Sequence, residues 1–202
     1  MRNALMMTVC GLACSPAMGA VIVNGDFEAG NTGFTNDYSY RTVSNSPYAG
    51  QYGVTTNSFA WTQFWNTIPG DHTTGAGQFL IVDVGDTTSA LWRQTVTVTA
   101  NTNYTFSAWL ATWTTYPATT VRVAVDGVTV GTWGAPSGAQ WAEYSASFNS
   151  GASTSIVMTI TPSTYFQPGA DIALDDLRIV PAPAGLGAMA VGWILVAKRR
   201  RR

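Results

Sequence analysis

From Val21 to Val180 the apolar residues recur at every second position over short runs, and no window keeps the three-and-four spacing of an amphipathic helix. Val96 and Val98 alternate with Thr95, Thr97 and Thr99, and Val121, Val123 and Val125 repeat the pattern. Strands of this kind bury one face and wet the other. Runs at 78–84, 91–99, 103–112, 119–126, 128–133, 140–148 and 154–161 read as strands bounded by turn residues. Asp126-Gly127, set between two alternating runs, is the strongest hairpin signal, and Thr99–Asn103 and Asn149–Ser153 supply further short connections. The pattern predicts an all-β fold, a two-sheet jelly-roll β-sandwich. The stretch 31–77 is rich in Gly, Ser, Asn and Thr, and is expected to run as extended loops over one end, with one strand near Tyr52–Thr56.

Ile172–Val180 reads as the closing strand, interrupted by Asp175 and Asp176. Carboxylates inside an apolar strand must meet a cation or a set of backbone N–H groups. At the other end of the body Asn24-Gly25-Asp26-Phe27-Glu28 also puts carboxylates beside an apolar anchor, so the first and last strands are expected to pair and close the sandwich.

The ends differ from the body, 21–180. Arg2, the apolar run Ala4–Cys14 and the small residues at 17–20 form a secretory signal peptide over 1–20, too short for a span of about 20 apolar residues. Cys14 leaves a lipoprotein signal as an alternative, against which Gly11 stands three residues before it. Cleavage removes Cys10 and Cys14, which excludes disulfides and thiolate metal sites in the mature chain. With the ends set aside, Arg41, Arg93, Arg122 and Arg178 face all eleven acidic residues, a net charge of −7. Such a body repels phosphate backbones, and nucleic acid is excluded as a partner.

Aromatic residues carry the ligand chemistry. Indole rings stack on the C–H faces of sugars. Trp92, Trp109 and Trp141 fall inside strand patterns and are assigned to packing, whereas Trp61, Phe64, Trp65, Trp113, Tyr116, Tyr165 and Phe166 fall in loops or at strand ends and are the candidate ligand-binding residues. The lone histidine, His72, lies in Pro69–Gly77 and has no second histidine or cysteine with which to hold zinc. That loop is expected to fold against the sheet edge and lend carbonyls to a cation site. There is no nucleophile-elbow motif, and the mature glutamates, Glu28 and Glu143, sit in no glycosidase motif, so no catalytic residue is assigned and the chain is not expected to be an enzyme.

The succession NGDFE, QTVTVTANTNYTFSAWLA, QWAEYSASFNSGASTSIVMTIT and DIALDDLRIV resembles the carbohydrate-binding-module jelly rolls of the galactose-binding-like superfamily over nearly the whole body. The resemblance implies two β-sheets, a non-catalytic glycan site in many relatives, and a structural calcium between first and last strands. Its ligands here would be Glu28 and Asp175, with Asp26 and Asp176 beside them, hard oxygen donors that suit calcium.

After the body, 181–202 holds a proline break, an apolar run from Ala184 to Ala197 and five cations. Read as a transmembrane helix, it would keep Lys198–Arg202 in the cytoplasm. The order Val180, Pro181, Ala182, Pro183, apolar helix, then Arg199, Arg200, Arg201 and Arg202 resembles the PEP-CTERM sorting signal, with alanine at the usual acidic position. The resemblance implies an exosortase-type sorting enzyme as partner, anchoring in the membrane, and delivery to the cell surface or extracellular matrix. The functional expectation is an exported, surface-sorted module that binds glycan or exopolysaccharide. The alternatives are a structural matrix protein without soluble ligand and, third, a small hydrolase or lyase.

Overall fold

A computed structural model describes residues 20–44, 49–63, 68, 70–112, 119–164 and 170–182. The strands, in chain order, are β1 Ser39–Tyr40, β2 Gln51–Thr55, β3 Phe79–Asp83, β4 Trp92–Thr97, β5 Asn103–Ala111, β6 Thr120–Val125, β7 Val128–Gly134, β8 Ala142–Asn149, β9 Ser155–Pro162 and β10 Asp171–Pro181. One helical turn, α1 Ser58–Trp61, is the sole helix among the described residues. Two sheets form the sandwich, in the orders β1-β2-β3-β10-β5-β8 and β4-β9-β6-β7.

Alternation decides what each strand buries. Tyr104, Phe106, Ala108 and Leu110 of β5 point into the space between the sheets, as do Trp92 and Val96 of β4 and Ile156, Met158 and Ile160 of β9. Rings run through this core in a stacked series, Trp92 to Phe106 at 6.1 Å, Phe106 to Trp133 at 5.7 Å and Trp133 to Tyr144 at 6.1 Å. The Tyr144 hydroxyl donates to the Gly134 carbonyl, tying β8 to β7 at one open side. A second apolar cluster, Trp61, Ile68, Phe79, Ile81, Ala111 and Ala173, lies on the opposite face of the six-stranded sheet. The Asp126-Gly127 turn joins β6 to β7 with both residues at positive φ, 48° and 80°, the geometry a two-residue hairpin needs.

The opening segment differs from expectation. Asn24–Glu28 is a turn, because the Asn24 side chain donates to the Gly30 and Thr32 carbonyls and accepts from Ala29 N. It meets the last strand through a single backbone bond, Leu177 N to Gly25 O at 2.9 Å. β10 is an interior strand, antiparallel to β3 on one side and β5 on the other. The stretch 31–77 also holds more order than its composition suggested: β1 and α1 besides β2. The expected signal peptide, 1–20, apart from Ala20, and the expected sorting segment, 181–202, apart from Pro181 and Ala182, lie outside the described residues. Among the described residues no helix is long and apolar enough to cross a membrane.

Candidate functional site

The outward face of β5 carries Asn103, Thr105, Ser107 and Trp109, the positions out of phase with its core residues. β8 sets Asn149, Ser147, Ser145 and Glu143 directly opposite them. The result is a hydroxyl- and amide-bearing strip of four cross-strand rows, about 20 Å long at the rise of a strand, with Trp109 and Glu143 at its head. Glu143, Ser145, Ser147 and Asn149 are exposed and Trp109 is half-buried. β10 flanks the strip, placing Arg178 beside Ser107 and Val180 beside Thr105.

At the head of the strip the His72 ring lies flat on Trp109, with centroids 3.4 Å apart and an interplanar angle of 12°. Trp141 meets His72 at 71° and 6.5 Å, and meets Phe79 edge-on at 5.5 Å. Trp141 is itself half-buried, so the three rings form one aromatic nook with part of each indole open to solvent.

His72 is held from below by a β-bulge. Pairing of β10 with β5 steps from Asp175 opposite Trp109 to Arg178 opposite Ser107, which inserts one extra residue, and Asp176 there has φ 50°. The extra residue explains how two successive carboxylates sit in an apolar strand. Strict alternation would drive one of them into the core, whereas the bulge returns Leu177 to the core and leaves both acids on the loop side. Asp175 Oδ2 accepts His72 N at 2.7 Å, and Oδ1 accepts Asp176 N at 2.7 Å. His72 Nδ1 lies 2.7 Å from Asp176 Oδ2, and since an ionised carboxylate only accepts, Nδ1 carries the proton and Nε2 is left for other partners. Arg178 Nη2 donates to Asp176 Oδ1 at 2.7 Å.

The loop 70–78 presents His72 because it is closed on itself. Asp71 accepts from Thr74 N at 2.8 Å, Thr74 Oγ1 at 3.0 Å and Gly77 N at 2.8 Å, and these bonds outweigh its burial and hold its carboxyl below the usual range. Gln78 N donates to Glu28 Oε1 at 2.8 Å, fastening the loop to the opening turn. A Cβ at Gly77 would stand 1.8 Å from Glu28 Oε1, so a larger residue there displaces that exposed carboxylate from Gln78 N. Burial pushes Asp175 up to about 7, against the two N–H bonds that favour its ionised form. Asp176 moves the other way: burial raises it, but His72 and Arg178 together hold it below the usual carboxylate range.

The four carboxylates expected to share calcium do not converge. Among the described residues no three Asp, Glu, His or Cys side chains gather into a group that could hold a metal ion. Asp176 is occupied by Arg178 and His72, and Asp26, whose Oδ1 accepts Glu28 N at 3.4 Å, shares with it a cavity of about 230 Å³ that Arg178 also lines. Glu28 and Asp175 do fasten the same loop, at Gln78 and His72.

Trp61 is corrected from an exposed platform residue to a buried one, with 0% of its surface accessible. Asn57 caps α1 by accepting Phe59 N at 2.7 Å, and the single turn drops the indole onto Gly53 of β2, where Nε1 donates to the Arg41 carbonyl at 2.9 Å. Phe64, Trp65, Trp113, Tyr116, Tyr165 and Phe166 lie outside the described residues. Of the residues expected to form a sorting motif, Val180 and Pro181 end β10 opposite Thr105 and Tyr104, while Pro183 and Arg199–Arg202 lie outside the described residues. Trp109, Trp141 and His72 were not assigned to a ligand from sequence. The signal for Trp109 was its position on the polar phase of an alternating strand, where packing inside the sandwich does not call for an indole.

No protein-family model matches the chain, and no curated protein matches it. Solved structures do. The CBM22-1 xylan-binding domain of Paenibacillus barcinonensis Xyn10C superposes with a TM-score of 0.54 at 14% identity, over 83% of this chain and 97% of that one. TmCBM61, solved with β-1,4-galactotriose, gives 0.51 at 14% identity, over 79% and 96%. The CBM22-1 and GH10 modules of Clostridium thermocellum xylanase 10B, solved with xylohexaose, give 0.50 at 14% identity, and there the match spans only 28% of the longer chain. The fold is the jelly roll of the carbohydrate-binding modules. At these identities the likeness extends to the fold alone.

Proposed function

We propose that the sandwich is a non-catalytic glycan-binding module, and that its ligand lies on the outer face of the six-stranded sheet with Trp109, Trp141 and His72 at the head of the site. The observation that carries this reading is the half-exposed aromatic nook continuous with the Ser, Thr and Asn strip of β5 and β8. Indole faces supply stacking, Nε2 of His72 and the carboxylate of Glu143 supply hydrogen bonds to hydroxyls, and the strip offers side-chain polar groups over several sugar lengths. Carbohydrate-binding modules among the structures of the same fold support the class of ligand. A glycan-array screen of the purified chain, followed by calorimetry with Trp109→Ala, tests it. Binding of at least one glycan, weakened about tenfold or more by the substitution, is expected, a loss of about 1.4 kcal/mol. Binding that is untouched by Trp109→Ala and Trp141→Ala would move the site elsewhere, and no binding at all would favour the structural matrix protein.

Two further parts of the reading rest on the sequence. The leader 1–20 and the tail 181–202 support export, passage through the membrane and exosortase-type sorting to the surface or the exopolysaccharide matrix. Glu28 and Asp175 support a calcium ion that would fasten loop 70–78, and His72 with it, to the sheet.

A further inference from the structure

β3 and β10 run antiparallel, and their register sets Asp83 directly opposite Asp171. Both occupy the outward phase of their strands, since their neighbours Val82 and Ile172 enter the main core. Asp171 is nevertheless only 5% exposed. Two like charges facing each other across a strand pair are destabilising, and burial makes the repulsion worse.

Among the described residues no basic side chain is placed to offset it. The internal body's basic residues are Arg41, His72, Arg93, Arg122 and Arg178. His72 and Arg178 are engaged by Asp176, Arg93 by Asp37, and Arg122 by the Thr87 carbonyl, while Arg41 is exposed and in ion-pair contact with none of the carboxylates, all eleven of which are described. The strand on the far side of Asp83, β2, brings uncharged Gln51, whose Oε1 takes the Ser44 hydroxyl, and β5 ends at Ala111 opposite Ala173. The sequences of 45–48, 64–67, 113–118 and 165–169 contain no acid, lysine, arginine or histidine, only Tyr48, Tyr116 and Tyr165 as titratable groups. Within the body, 20–182, a proton is the positive charge left to hold the pair together.

We propose that Asp83 and Asp171 share one proton and act as a proton-operated latch, which fastens the end of β3 to the start of β10 and loosens when that proton leaves. Burial, reinforced by the charge of Asp83, pushes Asp171 up to about 8, and burial pushes Asp83 up to about 6. Both carboxyls bind protons more tightly in the folded than in the unfolded chain. Their contribution to stability is therefore complete below about pH 4 and is lost as the pH climbs through 6 and then 8. Val84 N, which donates to the Ala170 carbonyl at 3.1 Å just beyond the pair, reports whether the strand ends stay together.

The test is thermal unfolding of the full chain from about pH 5 to about pH 9, beside Asp171→Asn. The wild type is expected to lose several degrees over the upper half of that range. The variant, with one carboxyl replaced by an amide that can donate to the other, is expected to lose clearly less and to be the more stable of the two at the alkaline end. Asp175 adds the same slope to both, so the difference between the two curves is the readout. Carboxyl-carbon NMR of the wild type decides independently of whether the variant folds, with one member of the pair expected to titrate well above the carboxylate range and Val84 amide exchange to accelerate with it. Parallel melting profiles, or both carboxyl resonances titrating below about pH 5, would overturn the latch.

Discussion

Two tryptophans, one read from sequence as lying in a loop and one in a strand, have opposite fates in this protein. Trp61 ends a single helical turn and is buried against Gly53, while Trp109 stands on the polar phase of β5 with His72 across one face. Substitution should separate them. Trp61→Ala leaves a cavity in the outer cluster and is expected to destabilise by about 3–5 kcal/mol, visible as a large drop in melting temperature. Trp109→Ala removes a half-exposed ring and is expected to shift the melting temperature much less while weakening glycan binding. A larger thermal loss for Trp109→Ala than for Trp61→Ala would show that the roles are reversed. The sequence pointed at Trp61 because a Gly-, Ser- and Asn-rich neighbourhood reads as a loop. Burial there follows from a contact with β2, which local composition does not encode.

Loop 70–78 is the element on which the site depends. Its closure by Asp71, its tie to Glu28 and its docking on the β10 bulge each act on the placement of His72. Gly77→Ala displaces the exposed Glu28 carboxylate from Gln78 N, and is expected to destabilise by about 0.5–1.5 kcal/mol, the worth of that hydrogen bond, and to weaken glycan binding together with stability. Melting curves and calorimetry on the same preparation check it, and an unchanged melting temperature would show that the loop is not fastened through Glu28. If calcium bridges Glu28 and Asp175, EDTA should lower the melting temperature of the wild type by a few degrees or more, and Asp175→Asn should abolish the difference. A bound cation would also hold Asp175 ionised at neutral pH, against the burial that otherwise raises it to about 7. A melting curve that EDTA leaves unmoved, in protein first shown to be metal-free and then calcium-loaded, would count against the ion.

At the scale of the whole molecule the charges divide by direction. Hydrogen bonds from Ser89 and Thr88 outweigh burial and pull Asp86 down to about 2, and Asp37, beside Arg93, and Asp71 are also held low. Their contribution is present above about pH 4 and is lost as the pH falls through their lowered values. Asp83, Asp171 and Asp175 act in the opposite sense at higher pH. Stability is therefore expected to peak in mild acid, at about pH 4–6, and a melting temperature that rises steadily from there to neutral pH would contradict the assignment. Deleting 184–202 is expected to release the sandwich into the medium while the full chain stays with the membrane or cell surface, and equal release of both would sink the sorting proposal.

The sequence by itself determined the sandwich, because alternation is a local property: the phase of Val121, Val123 and Val125, or of Tyr104, Phe106 and Ala108, already says which face is buried. It determined where most strands begin and end for the same reason, since Asp126-Gly127 and the short polar connections have conformational preferences of their own. It also showed that Asp175 and Asp176 needed special partners. Only the tertiary structure decided who those partners are. A bulge of one residue, a loop arriving from a hundred residues earlier in the chain, and a strand order that puts β10 between β3 and β5 bring His72 over Trp109 and Asp171 against Asp83. Those meetings depend on sheet order and register, which are set by the packing of the whole core and leave no mark in any short stretch of sequence.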